Sequence, residues 1–65
     1  MVTRADIGRS VQDRTGRVGI LHAVIPDYED PAESPGERHK RPTAFLRPEG
    51  GGQEWLVPPS DVQRA

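Results

Sequence analysis

The chain has 65 residues, with 9 Lys+Arg against 10 Asp+Glu and a formal net charge of −1. Seven glycines, seven prolines, one each of Phe, Trp and Tyr, and no Cys exclude a multi-domain enzyme, a disulfide scaffold and a Cys-ligated zinc module. The near-neutral balance also argues against a strong nonspecific nucleic-acid binder.

No run of about 18 apolar residues is present, so no helical membrane span is expected. Residues 1–6 lack the apolar core of a secretory leader and read as a flexible N-terminus. The default location is cytoplasmic. Residues 1–65 then form a single small domain, with little core to stabilise it. A homodimer would add what disulfides and metals cannot.

Glycine and proline interrupt the chain too often for a helix to nucleate. The apolar residues fall instead at strand spacing. The segment Ile7–Asp13 reads as a first short strand. Arg14-Thr15-Gly16 is its turn, with Gly16 supplying a positive φ. Val18, Ile20, His22 and Val24 alternate with Gly19, Leu21, Ala23 and Ile25. A run apolar on both sides is a buried or strongly bent strand, and Pro26 is expected to end it. A third strand spans Pro42–Pro48 and a fourth Gln53–Val57, joined by Glu49-Gly50-Gly51-Gly52. If Phe45 and Trp55 both point inward, they supply the aromatic part of the core. Ser60 is the expected N-cap of one C-terminal helical turn, with Val62 packing back on the sheet.

Between the second and third strands lies a long charged loop, 26–42. Residues 27–37 hold five acids and no base. Arg38-His39-Lys40-Arg41 follows directly. So long a loop inside a compact domain is either mobile or functional.

Four to five short antiparallel strands, a long loop and a terminal single turn make the chain mainly β and resemble a small SH3-like barrel. The stretch Ile7-Gly8…Val11…Gly16-Arg17-Val18-Gly19-Ile20-Leu21 resembles the KOW motif found in such barrels. That resemblance implies partners among RNA, ribosomes or transcription machinery. Val11-Gln12-Asp13 with Gly16-Arg17-Val18-Gly19, then Leu46-Arg47-Pro48 with Gly50-Gly51-Gly52-Gln53-Glu54-Trp55, resemble a second group, short actinobacterial proteins sharing a D…GRVG…LRP.GG.EW pattern. Eight Arg to one Lys, and no Asn, fit a GC-rich genome of that kind.

No residue type forms a catalytic constellation. There is no Cys nucleophile, and Ser10, Ser34 and Ser60 lie outside any nucleophile-elbow context. His22 reads as a structural or rim histidine and His39 sits among bases. The two histidines do not form a metal-ligand spacing. Asp27, Glu29 and Asp30 read as a solvated acidic loop. The Gly50–Gly52 run precedes a strand, which disfavours a phosphate cradle.

The expectation is therefore a non-enzymatic accessory module without cofactor, metal or small-molecule substrate. It would bind a protein partner, or itself, through sheet edges and the 26–42 loop. Tyr28, Arg47, Glu54 and Trp55 are the candidate contacts. The alternative is a nucleic-acid-binding or transcription-linked protein that uses Arg14, Arg17, Arg38, Lys40 and Arg41 on phosphates.

Overall fold

The computed structural model describes residues 1–65. It contains five antiparallel strands and three isolated 3-10 turns. The strands are β1 (Ser10–Gln12), β2 (Val18–Tyr28), β3 (Arg41–Arg47), β4 (Trp55–Val57) and β5 (Gln63–Arg64). They form one sheet in the order β4-β3-β2-β1-β5, with β4 and β5 at its edges. The chain is thus mainly β, as its punctuation predicts, and no helix is long and apolar enough to cross a membrane.

β1 and β2 form the first hairpin, with Val11 opposite Gly19. Its turn closes when Gly16 N–H donates to the Asp13 carbonyl at 3.0 Å and Asp13 N–H to the Arg17 carbonyl at 2.9 Å. Gly16 takes φ +91 here, a region costly for a residue with a Cβ. The ladder starts later than Ile7. Upstream of β1, Gly8 N–H still donates to the Leu21 carbonyl at 2.8 Å.

β2 does not end at Pro26. It runs through the proline to Tyr28, and its pairing with β3 shifts register between Leu21 and Ala23 and again between Ile25 and Tyr28. The extra residues at the breaks are His22 and the Pro26-Asp27 pair. A bulge leaves a residue outside the ladder, so the missing N–H of Pro26 breaks no regular pairing. The same breaks let an 11-residue strand bend.

The connection to β3 therefore covers 29–40 rather than 26–42, and it is folded on itself. Arg38 donates from Nε to the Glu33 carbonyl and from Nη2 to the Pro31 carbonyl, each at 3.0 Å. Asp30 Oδ1 accepts from Ala32 N–H at 2.9 Å. A 3-10 turn spans Pro35–Glu37.

β4 is shorter than the Gln53–Val57 expectation and pairs only with Ala44, Phe45 and Leu46. The last 3-10 turn, Pro59–Asp61, is preceded by Pro58, so Ser60 lies inside the turn and does not cap it. Proline at the first turn position, Pro59, presets φ two residues earlier than a Ser60 cap would place it. β5 then returns beside β1, with Val11 opposite Arg64.

Residues 1–6 are not a loose arm. Val2 is only 2% exposed, and its N–H donates to the Pro59 carbonyl at 3.3 Å. Thr3 and Asp6 form a reciprocal capping box around the 3-10 turn Arg4–Asp6.

The core comprises Val2, Val11, Leu21, Ala44, Leu46 and Val62, bordered by Val24, Trp55 and Val57. Leu21 and Leu46 are directly opposed. Alternation along β3 turns Phe45 to the other face, where it meets Tyr28 edge-on at 5.0 Å between ring centroids. The condition of two inward aromatics is therefore not met: Phe45 lies outside the core, and Trp55 borders it without being enclosed by it.

Candidate protein-interaction site

Two constellations stand out, at opposite ends of the β2–β3 ladder. The first gathers around Asp13. Its Oδ1 accepts from Thr15 Oγ1 at 2.7 Å, Thr15 N–H at 2.9 Å and Arg17 N–H at 3.0 Å. Its Oδ2 accepts from Trp55 Nε1 at 3.0 Å. These bonds, the Thr15 hydroxyl foremost, hold its pKa below the usual carboxylate value against the opposing effect of burial.

The Arg17 guanidinium lies over the Trp55 ring at 3.7 Å, within cation–π range. A Cβ on Gly19 would meet the same ring at 2.5 Å. Asp13, Gly16, Arg17, Gly19 and Trp55 thus form one clasp between the first hairpin and β4. The D…GRVG…EW pattern in the sequence maps onto this clasp.

The second constellation is a cleft of about 310 Å³ at the start of β3. β4 stops at Val57, opposite Ala44, so Arg41, Pro42 and Thr43 have β2 on one side and no strand on the other. Tyr28, Leu56, Val57 and Pro58 line the cleft, with Asp30 and Glu33 contributed by the loop. Leu56 is 42% exposed. Glu33 Oε2 lies 3.7 Å from Arg41 Nη2.

The four expected protein contacts are not brought together. Tyr28 lines the cleft, opposite Arg41. Arg47 and Trp55 lie at the other end of β3, and Glu54 stands 3.8 Å from His22 Nε2. Sequence reasoning passed over Leu56, whose signal was an apolar residue out of phase with Trp55 and Val57.

The five expected phosphate contacts are also divided. Arg14 and Arg17 flank the first turn, while Arg38 and Lys40 lie in the loop after β2 and Arg41 pairs with the last residue of β2, Tyr28; β2 is a strand about 35 Å long at the usual rise. Three are engaged elsewhere: Arg14 with Asp61 at 3.2 Å, Arg17 over the Trp55 ring, and Arg38 with loop carbonyls. The Arg14–Asp61 pair borders a second depression of about 310 Å³ with no apolar lining. No three His, Asp or Glu side chains converge as metal ligands.

No protein-family model, curated protein or solved structure matches this chain.

Proposed function

We propose that the chain is a non-enzymatic interaction module that binds a protein partner at the open edge of β3 and the loop beside it. One observation carries this reading: β4 covers only part of β3, and the uncovered part opens onto a cleft with exposed apolar side chains. An unpaired strand beside apolar pockets is a recurrent way to hold an extended segment.

The strand order β4-β3-β2-β1-β5, the bent β2 and the single 3-10 turn before β5 support an SH3-like small barrel as its architecture. The nucleic-acid alternative draws less support, because its bases are split between two ends and most are already paired.

The test compares wild type with a Leu56→Lys variant in affinity capture from a native lysate, with light scattering in parallel. Partners retained by wild type and lost by the variant are the expected result. A monomer that captures nothing, or equal capture by both proteins, would sink the reading.

A further inference from the structure

We infer that the occupant of the β3 cleft is an extended, cationic segment of the partner protein. This inference rests on the interaction-module reading and adds the chemistry of the ligand.

The extended form follows from the walls. The cleft lies along Arg41–Thr43, where an incoming chain would take the place of a longer β4. Pro42 and Pro58 have no backbone N–H to offer, so a full ladder cannot form there. Recognition then depends on side chains set against Tyr28 and Leu56.

The cationic character follows from unspent carboxylate capacity. Asp30 accepts one hydrogen bond, at Oδ1 from Ala32 N–H, and its Oδ2 accepts none. The Glu33 carboxylate accepts no hydrogen bond. Its nearest cation, Arg41 Nη2, stands at 3.7 Å, well outside the roughly 2.7–2.9 Å of a charge-assisted bond. The nearby Arg38 is turned onto the carbonyls of Pro31 and Glu33 and does not answer either carboxylate. The charged lining of the cleft is two acids, Asp30 and Glu33, against one base, Arg41. An Arg or Lys side chain entering over the apolar floor finds open acceptors, whereas an acidic segment meets repulsion. The cleft, about 310 Å³, is at the small end of ligand sites, which run from about 300 Å³.

The test is selection of random dodecapeptides, displayed on phage, against the immobilised full chain. The best peptide is then titrated by heteronuclear NMR into wild type, the double variant D30N/E33Q and L56K. Asp30 and Glu33 are half-buried and Leu56 is exposed, and thermal unfolding checks that both variants fold. The expected peptides carry Arg or Lys beside apolar residues and shift the resonances of Tyr28, Thr43 and Leu56. D30N/E33Q is expected to weaken them about tenfold, more at low salt than at high.

Selection of acidic or uncharged peptides at this cleft, or equal affinity for D30N/E33Q, would overturn the inference. Peptides that shift residues elsewhere would overturn it while leaving an interaction module standing. Failure to select any peptide, together with equal capture by wild type and L56K, would remove both readings. Shifts at the same residues on adding oligothymidine, or on raising protein concentration alone, would assign the cleft to nucleic acid or to a second copy instead.

Discussion

Asp13 shows how one side chain can fix several others. Its two oxygens accept four hydrogen bonds, from Thr15, Arg17 and Trp55, and the arrangement requires the ionised form. Its pKa is lowered in the folded chain, as is that of Asp6, through Thr3 N–H and the Arg64 contact at 2.7 Å. A depressed folded pKa means stabilisation that is complete above the unfolded value near 3.8. It is lost as pH falls through the folded value. Urea midpoints are therefore expected to hold between about pH 7 and 5 and to drop below about 4. Asp13→Asn should start lower at neutral pH, because an amide cannot present acceptors on both sides. It should also lose less on acidification. An unchanged acid profile in this variant would contradict the account. Gly19 offers a second check. A Cβ there would lie 2.6 Å from the Arg47 carbonyl oxygen and 2.5 Å from the Trp55 ring. Gly19→Ala is expected to cost about 1–3 kcal/mol, while Gly36→Ala, with open space around it, should change little in the same denaturation series. The sequence displayed these residues as a pattern, but it could not display their bonding. Asp13 and Trp55 are far apart in the chain, and only the folded hairpin brings the carboxylate to the indole.

At the level of elements, β2 was the most legible and also the most misleading. Its two-sided apolar run announced a buried or strongly bent strand, and β2 is the middle strand of the sheet with two breaks in its pairing. Its end was misread because Pro26 ordinarily stops a strand. Pro26 sits where two residues of β2 oppose Pro42 of β3, out of the regular ladder. Pro26→Ala is accordingly expected to shift stability by less than about 1 kcal/mol, chiefly through unfolded-chain entropy. Val24→Pro, in regular pairing with Ala44, should prevent folding altogether. Equal urea midpoints for the two variants would refute the bulge argument. The candidate cleft was only partly legible for a related reason. The long acidic loop and Tyr28 are visible in the sequence. The end of β4 at Val57 is visible too, but its register against β3, which leaves Arg41–Thr43 uncovered, is not, since a strand of three residues carries almost no periodicity.

For the whole molecule, the decisive feature is how the two ends of the chain close the core. Val2 and Val62 supply two of its six buried side chains, and neither lies in a strand. Arg64 Nε meets Asp6 Oδ1 at 2.7 Å, and Val2 N–H meets the Pro59 carbonyl, so the terminal segments hold one another over the sheet. Short terminal segments show no amphipathic repeat, which is why residues 1–6 read as a free arm. Their contribution comes from long-range packing that no local window records. A domain of this size has only about 3–10 kcal/mol of net stability, so a small loss at such a place is measurable. Val2→Ala removes two buried methyl groups and leaves a cavity, at an expected cost of about 2 kcal/mol. Met1→Ala is the control, since Met1 is 79% exposed. Thermal and urea unfolding of both should separate them clearly, with Met1→Ala indistinguishable from wild type. The Val2→Ala transition should also remain a single cooperative step, because Val2 touches the same core as Leu21 and Leu46. A separate early transition, with the sheet melting later at the wild-type midpoint, would mean that the N-terminal segment is an appendage rather than part of the core.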